Sequence, residues 1–365
     1  MVLNSNSEES RSGRPDAVAE PAGDATRSGP YRVEVLSGVD QLPPECESIA
    51  REQGLSTFYY GFEFLRAYER EPIQKVHHTR YLVVRDAEDA VVAFVPCYIQ
   101  GDPLRAMNLA EGEVVLLSHM WHCSDTRLAT RRHDPRVAAA VVDTMESLAR
   151  ELGASRYGFI NVSTEGPTAE LLRSVGLTPR HIDTRYVVDL AEAGDFDGYL
   201  RGLRPNARRE YRRQLNRARD AGARTSVRVP AGAEDPASLE LFETLMANVG
   251  SAGYYDKERI SRFLTYVPSG ARIIEVHQDD ELIAKAVVFL EETKIHAWAG
   301  GYDRHGDEKA ARPFSSYYVL MAGIIRLGFE AGVRYLEGGR RNGHFKERYG
   351  MRPVELDAYI TEVPS

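Results

Sequence analysis

A chain of 365 residues with 43% hydrophobic side chains is long enough to build two ordinary domains, each with its own core. Its 54 acidic against 46 basic side chains, a net charge of -8, exclude a protein that coats nucleic acid irrespective of sequence, while leaving room for a local basic site. Three cysteines (Cys46, Cys97, Cys123) without C-x-x-C spacing exclude a disulfide framework and a zinc knuckle, and no apolar run reaches the roughly 18 residues of a membrane span.

In chain order, residues 1–30 are rich in Ser, Gly, Pro, Asp, Glu and Arg and lack the apolar core of a secretory signal. They read as a disordered leader, and the whole as a soluble cytoplasmic protein. Residues 31–36 alternate as a first strand. Pro43-Pro44 opens a helix to residue 53 that Gly54 stops, and a second helix over 62–71 ends before Pro72. Residues 81–84, the acidic turn 86–89 and residues 91–99 spell a β-hairpin. A helix over 137–152 closes on Gly153. Residues 196–222 read as a long arginine-rich helix interrupted near Pro205. The second half then repeats the hairpin at 272–276 and 282–290, adds a strand at 294–299 before Gly300-Gly301, and closes with a helix over 314–331.

The two halves are written to one plan. Gly153 answers Gly332, Arg156-Tyr157 answers Arg334-Tyr335, and Gly176-x-x-Pro179 answers Gly350-x-x-Pro353. Each half reads strand, two helices, hairpin, strand, helix, strand, helix, strand. Hairpins demand antiparallel pairing, whereas strand–helix–strand units give parallel crossovers. Mixed sheets with helices on both faces satisfy both demands, so the expected class is α/β with α+β mixed sheets. The expected units are residues 31–195 and 223–365, a duplicated pair joined by the arginine-rich connecting helix over 196–222.

That order of elements resembles the GNAT acyltransferase plan, and two in tandem resemble the Fem-like transferases. The likeness is most specific in Pro313-Phe-Ser-Ser-Tyr-Tyr-Val-Leu-Met-Ala-Gly-Ile-Ile-Arg-Leu-Gly-Phe-Glu-Ala-Gly332, Tyr335-Leu-Glu-Gly-Gly339 and Phe345-Lys-Glu-Arg-Tyr-Gly350. The resemblance implies an acyltransferase moving an aminoacyl group from aminoacyl-tRNA to a small-molecule amine or hydroxyl. It implies no resident cofactor and contact with the acceptor end of the tRNA. The usual acetyl-CoA pyrophosphate loop of simple acetyltransferases, R/Q-x-x-G-x-G/A, is replaced by Gly306-Asp-Glu-Lys-Ala-Ala-Arg312, and the long helical arm of some Fem proteins is absent. An acyl-CoA-dependent N-acyltransferase and a non-catalytic binding module stand as the alternatives.

Acyl transfer needs the acceptor's proton removed and the developing oxyanion stabilised. The candidate catalytic residues cluster in 337–348. Lys346 matches the Lys of the Fem-like Phe-Lys motif, which implies a role at charge on the donor or intermediate; spacing alone equally allows a solvated surface lysine. His344 has the right unperturbed pKa for a general base, although lone loop histidines are commonly inert. Glu337 stands at a strand's C-terminal end, where α/β folds gather ligands, or pairs with Arg340 or Arg341. Asp303, beside Tyr302 after the Gly300-Gly301 strand, completes the catalytic candidates. Candidate substrate-binding residues are Arg340, Arg341, Tyr302, the aromatic pair Tyr59-Tyr60, and Arg208, Arg209, Arg212 and Arg213. Those last four form i,i+4 pairs of like charge above a packing stripe of Tyr211, Leu215 and Ala218, which an anionic partner would relieve. A solvated, charge-balanced helix is the plain alternative. His119-Met-Trp-His122 fits no closed metal site, and no metal is expected.

Overall fold

The computed structural model describes residues 26–248, 251, 253–309 and 312–364. The first half runs β1 (Thr26–Ser28), β2 (Tyr31–Leu36), α1 (Glu45–Glu52), α2 (Thr57–Tyr60), α3 (Phe62–Arg70), β3 (Val76–Arg85), β4 (Val91–Gln100), β5 (Val115–Ser118), β6 (Ala129–Thr130), α4 (Pro135–Glu151), β7 (Arg156–Ser163), α5 (Pro167–Ser174) and β8 (Arg180–Asp189). Two helices, α6 (Phe196–Gly202) and α7 (Pro205–Asp220), lead into the second half. It runs β9 (Arg224–Arg228), α8 (Pro236–Asn248), α9 (Lys257–Phe263), β10 (Ala271–Gln278), β11 (Glu281–Leu290), β12 (Lys294–Tyr302), α10 (Arg304–Lys309), α11 (Ser316–Glu330), β13 (Tyr335–Arg340), α12 (Gly343–Arg348) and β14 (Arg352–Glu362).

The strand and helix order of the two halves repeats as their sequences do. The matched stops also share their backbone conformation. Gly153 and Gly332 have φ of 70° and 68°, and Gly176 and Gly350 have φ of 88° and 83°. These left-handed values end a helix at little cost only in glycine. Two expectations need correction. The connecting segment is two helices, because Pro205 sets Arg204 in an extended conformation and starts α7 afresh. The expected leader over 1–30 overlaps β1, which pairs antiparallel with β2; three residues of Thr-Arg-Ser carry no legible alternation. Residues 1–25 lie outside the described residues.

One mixed sheet crosses the whole molecule in the order β1-β2-β3-β4-β5-β7-β14-β8-β13-β12-β11-β10-β9, with β6 alongside β4. The halves exchange their last strands. β14 from the second half pairs with β7, β8 from the first half pairs with β13, and β8 and β14 lie antiparallel at the centre. The units expected at 31–195 and 223–365 are therefore continuous in sequence but interlocked in space.

Helices α4 and α5 bury Val137, Val141, Met145 and Leu172 against Leu82, Val95 and Phe159 of the first half. Helix α11 does the same for the second, with Leu320 and Ile324 against Ile274, Ile283 and Val288. A third core is shared: Phe58, Phe64 and Tyr68 from α2 and α3 meet Phe263, Phe289 and Trp298 from across the molecule. This shared core holds α2 of the first half beside β12 of the second. Among the described residues no helix is long and apolar enough to cross a membrane.

Candidate active site

Parallel strands β12 and β13 pair over three positions only, Lys294↔Tyr335, Ile295↔Leu336 and His296↔Glu337. Beyond His296 and Glu337 they part, because each is held by its other neighbour. Irregularities flank the parting. Along β12, Ala297 faces Val288 and Ala299 faces Val287, so Trp298 is an extra residue. Along β13, the register with β8 slips between Glu337 and Arg340, with Gly339 at a φ of 71°. A Cβ on Gly338 would come within 2.7 Å of Met351 Sδ and 3.2 Å of the Tyr186 carbonyl oxygen, so the Met351 side chain would have to shift to admit one. A cavity of about 600 Å³ fills the gap between the strands.

Tyr59 and His122 from the first half and Tyr254, Tyr255 and Trp298 from the second line it, with Tyr302 and Tyr317 further out. The matching gap in the first half, past the β5–β7 pairing, is occupied by protein. Asn161 donates to the Trp121 and Cys123 carbonyls, and Arg340 donates to Asn161 Oδ1 and to the Trp121 carbonyl, both at 2.9 Å. The duplicated scaffold thus carries unequal clefts.

Charge around the cavity is dense and buried. Glu337 is 5% exposed; Arg185 Nη1 donates to its Oε2, while Oε1 has no partner among the described residues. Arg185 also faces Asp125 at 3.4 Å. Burial pushes the Asp125 carboxyl up, but Arg185 and Arg127 outweigh it and hold it at about 2. Arg185 itself is raised well above its ordinary value by Asp125 and Glu337, against the cost of burial. Lys346 is 3% exposed, and its Nζ donates to the Gly339 carbonyl at 3.1 Å and the Arg340 carbonyl at 2.7 Å. Burial pulls its pKa down to about 7, with Glu337 and Asp183 resisting, so near neutrality it is an amine as much as an ammonium. His122 lies stacked on Tyr254, is driven well below its usual pKa by burial and by Arg340, and has neither ring nitrogen bonded among the described residues.

The sequence-predicted residues divide. Lys346, Glu337, Arg340, Arg341, Tyr302 and Tyr59 line the cavity. Arg340 is committed to holding the halves together through Asn161, Trp121 and Tyr254, so it walls the site more than it offers a free guanidinium. His344 is exposed on the far side of α12 and does not reach the cavity, because residues two apart on a helix face opposite ways. Asp303 caps α10 through Gly306 N and pairs with Arg312, and it does not line the cavity, although its neighbours Tyr302 and Arg304 do. Tyr60 is buried with its hydroxyl bonded to the backbone of Arg127, a structural place. Arg208, Arg209, Arg212 and Arg213 stand on α7, outside the cavity, with Tyr211 and Ala218 buried beneath. Asp183 on β8 and His296 on β12 also line the cavity and were not singled out in the sequence; His122, weighed there only for a metal, reaches it from the loop after β5.

Residues 205–347 match the acetyltransferase (GNAT) domain family. The chain has the tandem GNAT fold. No curated protein matches its sequence. Among solved structures, this tandem GNAT protein is similar to FemX, with a TM-score of 0.59 and 10% identity over 90% of this chain and 97% of that one. It is similar too to a tandem GNAT protein from the clavulanic acid biosynthesis pathway, with a TM-score of 0.57 and 14% identity over 91% and 99%. L-PGS from Bacillus licheniformis follows at 0.51 and 14% over 90% and 93%. At these identities the likeness is one of fold, and it confirms the Fem-like tandem architecture.

Proposed function

We propose that this acyltransferase moves an aminoacyl group from aminoacyl-tRNA to an amine or hydroxyl of a small-molecule acceptor, without a resident cofactor. The observation that carries the donor choice is the N-terminus of α11. In a GNAT unit that helix end is where a pyrophosphate would be cradled by free N–H groups. Here Asp307 Oδ2 accepts from Ser316 N at 2.9 Å and from Ser316 Oγ at 3.0 Å, and Gln214 Oε1 accepts from Ser315 N at 2.8 Å. A carboxylate already sits where a phosphate would, neutralised by Arg312 at 2.6 Å. The same corner adjoins α7, whose Arg217 reaches the Pro313 carbonyl and whose Arg209, Arg212 and Arg213 are exposed to solvent. A tRNA acceptor end lying along α7 would place its terminal ester at the mouth of the cavity, which Ser315 and Tyr317 border. Phosphate contacts of this kind position a nucleic acid without reading its sequence.

Within the cavity, the ammonium form of Lys346, two of whose N–H groups go to the Gly339 and Arg340 carbonyls, offers its third to the developing oxyanion, and Glu337 Oε1 accepts a hydrogen bond from the incoming nucleophile. A second reading keeps acyl-CoA as donor. It is favoured by the match to an acetyltransferase domain and by the clavulanic acid pathway neighbour, described as a structure without AcCoA. Transfer of radiolabel from charged tRNA, set against transfer from acetyl-CoA, with and without RNase, separates the two. RNase-insensitive turnover from acetyl-CoA alone would overturn the aminoacyl-tRNA reading.

A further inference from the structure

Transfer to an amine or hydroxyl requires a group that takes the acceptor's proton. Lys346 is turned onto two backbone carbonyls, and Glu337 is tied through one oxygen to Arg185. Directly across the strand pair from Glu337, at the last position before β12 and β13 part, stands His296. It lines the cavity and is 5% exposed. Its Nε2 lies 3.2 Å from Glu291 Oε2 and 3.3 Å from Ser56 Oγ. Glu291 is fixed in turn, accepting from Phe58 N and from Ser56 Oγ, both at 2.6 Å. Burial pushes the Glu291 carboxyl up, but His296, Ser56 and the Phe58 amide outweigh it and hold it at about 2. An ionised Glu291 fixes the ring proton on Nε2. Nδ1 is left buried, without a partner among the described residues, on a residue that borders the cavity.

We propose that His296 is the proton acceptor of the transfer, with Glu291 as its positioning residue and Ser56 and the Phe58 amide as the support that the first half lends to the second. This rests on the reading of the cavity as the transfer site, and it holds for either donor. The acceptor is then a neutral amine or alcohol that presents the N–H or O–H it loses to His296 Nδ1, an amine keeping a second N–H for Glu337 Oε1. Its lone pair forms the new bond to the acyl carbonyl carbon as its proton passes to Nδ1. The tetrahedral intermediate collapses by breaking the bond to the donor oxygen (or thiol sulfur), and the imidazolium returns the proton to that leaving atom. The ring ends neutral and no other reactant is consumed. The arrangement also gives the first half a task beyond its own plugged cleft: its α2 holds the carboxylate that orients the base.

The test uses the full chain with ¹⁵N-labelled histidine, the ring signals being assigned by their loss in His296→Gln. The expected tautomer of the neutral His296 ring carries its proton on Nε2. In Glu291→Gln, the amide still accepts from Phe58 N but now donates to Nε2, which moves the proton to Nδ1. A wild-type ring protonated on Nδ1, or a ring whose tautomer ignores Glu291→Gln, overturns the assignment whether or not a donor is in hand. In the radiolabel assay, run with charged tRNA and with acetyl-CoA, both variants should lower kcat about 10²- to 10⁴-fold with donor KM unchanged. Glu291→Gln keeps the hydrogen-bonding shape, so its loss is not a loss of fold. Turnover of His296→Gln within about threefold of wild type overturns the proposal, whichever donor is used. A failure of the tRNA donor alone would instead appear as the same variant losses with acetyl-CoA.

Discussion

Replacing Lys346 with Met tests the electrostatics of the site without reference to any substrate. The buried amine has a folded-state pKa of about 7, below the ordinary lysine value near 10.5 that it regains on unfolding. Below pH 7 both states are protonated, and the fold carries the full cost of a buried ammonium. Between the two values the unfolded chain binds a proton that the folded chain does not, so stability rises with pH. Three and a half units at about 1.4 kcal/mol each amount to about 5 kcal/mol across the whole window. Between pH 7 and pH 9, wild type should gain about 2 kcal/mol relative to Lys346→Met. The variant also leaves the Gly339 and Arg340 carbonyls without their donor, which costs about 1–3 kcal/mol for each group but does not vary with pH. Urea denaturation of both proteins from pH 6 to pH 9.5 therefore separates the contributions: the offset reports the carbonyls, the slope reports the amine. Parallel pH profiles for the two proteins would show that Lys346 is charged and well solvated in the fold, and would remove its role as a near-neutral donor.

Arg185→Met leaves Asp125 and Glu337 buried without their shared cation and should cost about 3–5 kcal/mol by urea denaturation. Because Asp125 is held near 2 in the fold, its contribution is present above the ordinary carboxyl range and lost as pH falls toward 2; in the variant, acid unfolding should begin at higher pH. A loss below about 1 kcal/mol would refute the buried network. Gly301→Ala puts a Cβ 2.2 Å from Leu241 O and 2.7 Å from Phe242 N, both backbone of α8, so β12 and α8 must separate; the expected loss is about 3 kcal/mol, and a variant as stable as wild type would show that contact to be slack. On α7, Arg209→Ala and Arg212→Ala should each lower the slope of log affinity for tRNA against log salt by about 0.7, measured by filter binding. An unchanged slope would take the arginine helix out of the interface.

Much of the fold was legible because it is punctuated. Glycine stops, the prolines that end helices and the acidic hairpin turns recur at matched places in both halves, and each acts locally. The cluster at 337–346 was legible for the same reason: Glu337, Arg340, Arg341 and Lys346 lie close in sequence, and a strand end followed by a short helix brings them to one cavity. His344 failed because binary choices on a six-residue helix turn on which face packs down, and Phe345 and Lys346 took the buried one. Tyr59 and Tyr60 present the same ambiguity, one ring bordering the cavity and the other anchoring the Arg127 backbone. Asp303 reads as a ligand in a loop, yet its carboxylate is spent on starting α10. His122, Asp183 and His296 were beyond reach for a different reason. Their place depends on where two strands diverge and on which half supplies the facing wall, and those are properties of pairing between segments far apart in the chain.

The exchange of final strands makes the molecule resemble a two-fold dimer whose subunits have been fused end to end. It also imposes an order on synthesis. Arg156 finds its partner in Glu362, so the first half cannot complete its sheet until β14 has left the ribosome. Until then β7 and β8 offer open edges, which other chains can pair with as readily as β14 can. A nascent chain of this kind must wait, and a chain cut short before β14 would leave two unfinished halves rather than one.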